Sequence, residues 1–437
     1  MTGPEVWRGL GAGALGPTVT TLIAAALVRL GGLGRQIVVA RVFGVSTELD
    51  VYLASAVVPV FVGNVLGAAL NSVVLPHLVR VRHAAGIEAA ARSFVHALKV
   101  SLLVSVMASL VLAAMAPTLV RGVAPYLASD PRSVGTARWA GLLVVVVVVT
   151  QVLTAAAISR RRFLVSALAP LATPLSVAVF ALAGGPSPER LMIGTVMGNI
   201  VTCTVLAGFL VRDGAFERHG LGELQRFPWW EAIAMMTSIA ASGAAVGIDR
   251  ALAARIEPGA LSIVELGTRV PESLESLLAV VVANVGAGGL ARWSVQYSIA
   301  DFKKRAIRLA AAVGSFALPP VVLLVWLSHE VVRLLFEGGR FSANAIDEVV
   351  NVQRPALARI PFYLVALLLA RALNASRRSW SVARIMAVFA IVSVAGDLVL
   401  IPRLGVSGIA WATTGAYAAV VGLFVIAVAR PQLARRV

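Results

Sequence analysis

The chain alternates long apolar runs with short polar ones from end to end. Apolar stretches of about 20 residues recur along its length, the span a helix needs to cross a bilayer core. Leu142–Val149 is apolar at every position, without the alternation of a membrane β-strand. The pattern predicts an all-α, polytopic membrane protein of about twelve transmembrane helices. They are placed at roughly 16–40, 51–76, 93–119, 136–158, 163–183, 190–211, 230–252, 260–288, 307–328, 353–375, 380–401 and 406–429. Pro170, Pro174, Pro271 and Pro361 interrupt several of these segments. Membrane helices accept this where neighbours or cavity water satisfy the freed backbone groups.

Composition agrees and removes whole classes. The 437 residues are 59% hydrophobic and 14% charged, with mean hydropathy +0.89. Soluble domains carry about 25% charged residues, and a soluble chain this apolar could not cover its own surface. The net charge of +17 would suggest nucleic acid in a soluble protein. Here the basic residues lie between apolar runs, so they are read as topology signals and contacts to anionic membrane lipids, with no nucleic-acid partner expected. The lone Cys203 excludes an intramolecular disulfide, and the five histidines lack metal-ligand spacing. No GxxxxGK[ST] loop or GxSxG elbow is present. No cofactor or metal is expected, and energy must come from the membrane potential, a Na+ or H+ gradient, or the substrate's own gradient.

Loop charges orient the helices. Alternate loops hold Arg80, Arg82, Arg92 and Lys99; Arg160, Arg161 and Arg162; Arg212, Arg218 and Arg226; Arg292, Lys303, Lys304, Arg305 and Arg308; and Arg377, Arg378 and Arg384. The intervening loops are poorer in basic residues and hold Asp50, Asp130, Glu257, Glu337 and Asp347. By the positive-inside rule both termini are expected in the cytoplasm. An internal repeat also shows: Ser159-Arg160-Arg161-Arg162 follows the fourth helix and Ser376-Arg377-Arg378 the tenth, while Ala40-Arg41-Val42 ends the first and Ala254-Arg255-Ile256 the seventh. Two six-helix bundles, 1–218 and 219–437, are expected around a central cavity, a transporter architecture.

Several charges fall inside expected spans. Arg29 and Arg35 are in the first helix with Arg41 near its outer end; Asp249 and Arg250 lie near the end of the seventh; Glu265, Arg269, Glu272 and Glu275 are in the eighth. Arg359 and Arg371 are in the tenth and Asp397 in the eleventh. Each costs about 2.5–3.5 kcal/mol at a helix centre, so they must face a wet cavity, a partner charge or a ligand. Gly31, Gly32 and Gly34 between the two arginines favour a bend. Two readings stand for these arginines. They line a pocket for an anionic headgroup, since guanidinium forks match phosphate oxygens, or they are neutralised internally, Arg35 by Glu272, or Arg269 by Glu272 one turn away. Glu265, Glu272 and Glu275 are also candidates for a coupling cation, and Asp397 for a proton site or a packing hydrogen bond.

Arg29-Leu30-Gly31-Gly32-Leu33-Gly34-Arg35, then Val39-Ala40-Arg41-Val42-Phe43-Gly44 and Asp50, resembles the start of the MurJ/MviN family of lipid II flippases, within the multidrug/oligosaccharidyl-lipid/polysaccharide exporter superfamily. Further similarities follow in order: Asp249-Arg250 with Pro258-Gly259, Gly267-Thr268-Arg269, Leu335–Ser342, Arg371–Ala375 and Gly405–Ala410. The resemblance implies a transporter, not an enzyme, moving a polyprenyl-diphosphate-linked saccharide across the bacterial cytoplasmic membrane by alternating access. It implies diphosphate binding by Arg29, Arg35 and Arg269, and gating or coupling by Asp50 and Glu272, with Arg41, Asp249 and Arg250 as secondary candidates. It also implies contact with cell-envelope glycan synthesis proteins.

The sequence departs from the family in places. No basic residue lies between Val51 and Leu75, Gln36 follows Arg35, and the two extra C-terminal helices usual in the family are not expected. A flippase for an exopolysaccharide or O-antigen unit is therefore the main alternative. A cation-coupled drug exporter is disfavoured by the 6% aromatic content and the intramembrane arginines, and a non-transporting scaffold is the third.

Overall fold

The computed structural model describes residues 12–216, 227–376 and 378–430. Both chain ends, and the division expected at 218/219, lie outside the described residues. Within them each expected span is helical, and the only extended pairing is an isolated bridge between Gly338 and Phe341.

The helices are α1 Ala12–Phe43, α2 Thr47–Ala114, α3 Ala116–Val123, α4 Pro131–Ser159, α5 Phe163–Leu168, α6 Ala172–Leu182, α7 Pro188–Arg212 and α8 Trp229–Ala253. They continue with α9 Ala260–Gln296, α10 Ile299–Trp326, α11 Ser328–Phe336, α12 Ala343–Ala358, α13 Ile360–Ala375, α14 Ser379–Leu404 and α15 Ser407–Ala429. Two expected spans share the 68 residues of α2, which changes direction at Gly86 (φ 85°), a backbone conformation that residues with a Cβ disfavour. α1 runs through Gly31–Gly34 without a break. Hydrogen bonding along the rest of the helix outweighs the entropy cost of three glycines there.

Eight helical segments among the described residues are long and apolar enough to cross a membrane. α1, α8 and α9 are not among them; these carry Arg29 and Arg35, Asp249 and Arg250, and Glu265 to Glu275. Large apolar side chains elsewhere point outward, Phe316 at 85% exposure among them. Trp230, Trp326 and Trp380 are likewise exposed at helix ends, the depth at which indoles sit in a membrane.

Two compact units form. One comprises the chain up to Val39 and Val51–Ala240; the other comprises Ala40–Asp50 and Ala241–Val437. Thus the junction of the first two helices belongs with the C-terminal half. The first unit packs Leu70, Val74, Phe94, Val148, Val152 and Leu206 into one core, and the second packs Leu357, Leu364, Leu369, Val420 and Phe424 into another. Small residues allow close helix approach, as expected in lipid where packing drives association. A Cβ on Gly198 would strike the Thr173 backbone, and one on Gly408 the Leu400 backbone.

The two basic motifs act alike, through different positions of each. Arg160 donates to the Asp213 carbonyl at the end of α7, and Arg378 donates to the Ala427 carbonyl at the end of α15, 2.7 Å away. In each unit an arginine satisfies a carbonyl that a helix end leaves without an intrahelical donor.

Candidate functional site

Asp50 is fully buried, and its role follows from what surrounds it. Its carboxylate accepts the backbone N–H of Gly259 at 2.6 Å, the N–H of Ser262 at 2.9 Å and the Ser262 hydroxyl at 2.5 Å. Gly259 is the N-cap residue of α9 and has φ 93°, with no side chain to cap the helix itself. Asp50, more than two hundred residues earlier, supplies the missing cap and places a negative charge at the positive end of the helix.

The same junction is held a second time. The Arg340 N–H donates to the Arg41 carbonyl at 2.8 Å. Gly44 adopts φ 62°, and a Cβ there would collide with the Arg340 carbonyl. The two sequence motifs, Val42-Phe43-Gly44 and Leu335–Ser342, are therefore the two sides of one clasp. Arg41 takes part through its backbone, and its side chain is exposed.

α9 carries a line of opposite charges. Glu265 is buried and divides its two oxygens: Oε2 meets Arg250 at 3.0 Å and Oε1 meets Arg269. Arg269 also reaches Glu272 at 3.5 Å. Nearly three turns beyond Glu265, Glu275 takes both forks of Arg359, at 2.7 and 3.1 Å, in a pair only about a tenth exposed on each side. The spacing 265, 269, 272 at three and four residues puts these groups on one helix face. Neutralisation by Glu265 and Glu272 satisfies the sequence expectation that Arg269 needs a partner; the bridge to Arg250 and the Arg359–Glu275 fork were not legible from spacing, because their partners lie on other helices.

The Asp249 and Asp397 carboxyls meet in the interior, where Asp397 is fully buried. Thr413 donates to Asp249 Oδ2 at 3.4 Å, but Asp249 Oδ1 and both Asp397 oxygens lack a donor among the described residues. Ser393, one turn from Asp397 on α14, is also buried, and its hydroxyl has no partner among the described residues. Two ionised carboxylates in this contact would repel in a low dielectric. A shared proton or a small cation removes that repulsion. The pairing of Asp249 with Asp397 was not foreseen, since 148 residues separate them.

Arg29 and Arg35 lie on α1 in the first unit. Arg29 is exposed with neither an ion pair nor a side-chain hydrogen bond among the described residues, and Arg35 is half-buried. Among the described residues no cluster of three or more His, Cys, Asp or Glu is arranged to hold a metal.

Comparison with known proteins adds a family. A model described as the lipid II flippase MurJ matches residues 39–434. A probable lipid II flippase MurJ of Thermotoga maritima is 24% identical over 405 residues, covering 90% of this chain and 80% of that protein. Among solved structures, a lipid II flippase MurJ in an inward closed conformation superposes with TM-score 0.80 at 18% identity, over 94% of this chain and 88% of the other. An inward-facing multidrug resistance MATE transporter of the MOP superfamily gives TM-score 0.72 at 14% identity, over 92% and 97%. The MurJ model spans the second-unit clasp, the charged face of α9 and the paired aspartates alike, and the chain belongs to the MurJ lipid II flippase family.

Proposed function

We propose that this chain is a flippase that carries a polyprenyl-diphosphate-linked saccharide of the lipid II type across the bacterial cytoplasmic membrane by alternating access. The family match over residues 39–434 carries this reading, and it makes the chain a transporter rather than an enzyme. In this reading Arg29, Arg35 and Arg269 bind the diphosphate, whose oxygens suit guanidinium forks. Glu265 and Glu272 hold Arg269, so substrate must displace a carboxylate to bind. Asp249 and Asp397 take up the proton or Na+ that couples transport to the gradient, and both termini face the cytoplasm.

Rescue of a bacterial strain depleted of its own lipid II flippase tests the assignment. Arg35→Ala and Arg269→Ala should each abolish rescue while the protein remains folded in the membrane; full rescue by both variants would overturn it. A second reading is a flippase for another polyprenyl-diphosphate glycan, such as an exopolysaccharide or O-antigen unit. The absence of any basic residue from Val51 to Leu75 favours it. Failure in the lipid II strain, with rescue of a polysaccharide-export mutant, would select this alternative.

A further inference from the structure

Beside the turn between α9 and α10, within the second unit, lies an open hollow of about 510 Å³. This volume lies in the range of small-ligand sites, roughly 300–1,000 Å³. Trp293 on α9 forms one wall, and Asp301, Lys304, Arg305 and Arg308 on α10 form the other. The positions 301, 304, 305 and 308 repeat at three and four residues, so the first turns of α10 turn a single face to the hollow.

Three basic groups and one acidic group meet there. Asp301 is already engaged, accepting the Ser298 hydroxyl at 2.7 Å. Arg305 stacks on Tyr297 with its guanidinium carbon 4.0 Å from the ring centre. Stacking holds the guanidinium plane and leaves its N–H edge available to an acceptor. Lys304, Arg305 and Arg308 make no ion pair among the described residues. The neighbouring Lys303 points elsewhere and donates to the Arg430 carbonyl at 2.6 Å, at the end of α15. The chain therefore separates one basic residue for a structural bond from three that converge on open space.

Depth narrows the class of ligand. Ile299–Trp326 is long and apolar enough to span the membrane, so its first turns lie at the boundary with water. An indole and three cations at that depth match the surroundings of a phosphodiester headgroup. We propose that this hollow binds the headgroup phosphate of an anionic phospholipid.

The test is native mass spectrometry of the full chain in detergent, titrated with phosphatidylglycerol or phosphatidylcholine. The tightest phosphatidylglycerol should bind with clear preference over phosphatidylcholine. Each basic side chain near a headgroup surface contributes about fivefold, so Lys304→Ala/Arg305→Ala/Arg308→Ala should weaken that binding roughly a hundredfold. Lys303→Ala should leave it unchanged, and Arg305→Lys/Arg308→Lys should keep most of it. If the triple variant does not fold, Arg308→Ala alone should still show the fivefold loss. Equal phosphatidylglycerol binding by wild type and triple variant would overturn the proposal, as would an equal loss in Lys303→Ala. Inorganic phosphate competing as strongly as the lipid would also overturn it, since the site would then recognise a free anion.

Discussion

Removing the Asp50 carboxylate should destabilise the second unit, and the cost can be worked from its contacts. Asp50→Ala leaves the Gly259 and Ser262 N–H groups and the Ser262 hydroxyl without an acceptor in a buried place. A buried unsatisfied donor costs about 1–3 kcal/mol, and loss of an N-cap typically about 1 kcal/mol. Part of the cost is recovered if the hydroxyl rotates to the Ser46 carbonyl, 3.4 Å away, so a total of about 3–5 kcal/mol is expected. Asp50→Asn keeps the shape and one acceptor but turns an amide toward a donor, and should cost about 1–2 kcal/mol. Unfolding in mixed micelles titrated with sodium dodecyl sulfate measures both. Ser262→Ala should cost about 1 kcal/mol alone and nearly nothing in the Asp50→Ala background, because the two share one interaction. If Asp50→Ala transports poorly yet unfolds like wild type, and Ser262→Ala adds fully to it, the capping argument is refuted and Asp50 acts in gating alone.

Other outcomes follow from the same reasoning. Glu275→Ala strands the buried Arg359 charge and should destabilise the protein by about 3–5 kcal/mol, whereas Glu275→Met/Arg359→Met should recover most of that loss in the same unfolding assay. Asp397→Asn relieves the carboxyl contact with Asp249 and should leave stability intact or raised; if the pair couples transport, the dependence of flipping in proteoliposomes on an imposed Na+ or pH gradient should disappear, and its persistence would exclude the pair. Asp213 is held below the usual carboxylate range by its hydrogen bonds from Arg162. Its pKa is lower folded than unfolded, so the contribution is complete above the unfolded value near 3.8 and is lost as pH falls through the folded value. The difference in thermal midpoint between wild type and Arg162→Ala should therefore be present at neutral pH, small because the pair is largely exposed, reduced by salt, and absent in strong acid.

How much was legible depended on the range of the interaction. Arg269 with Glu272 is a pair three residues apart, so helical periodicity alone made them neighbours. Glu265 was recognised as a charge out of place, but Arg250 as its partner required the packing of α8 on α9. Asp50 was marked as unusual by its position and resemblance, yet its use as a cap depends on Gly259, 209 residues later. The glycines of α1 pointed to a bend because local propensity was the only term in view; the helix is continuous there because hydrogen bonding along the rest of it outweighs that propensity.

The amino-acid pattern by itself determined the class of molecule: apolar helices long enough to cross a membrane, with charges placed where lipid cannot solvate them. Those conclusions rest on local quantities, the length of an apolar run and the desolvation of a charge, which need no partner to be evaluated. Tertiary structure alone decided which charges neutralise which, that the junction Ala40–Asp50 belongs with the second unit, and that Asp249 meets Asp397. The physical reason is that ion pairs and caps are contacts between surfaces, and many pairings of the same charges satisfy the same sequence. Helix packing selects one of them.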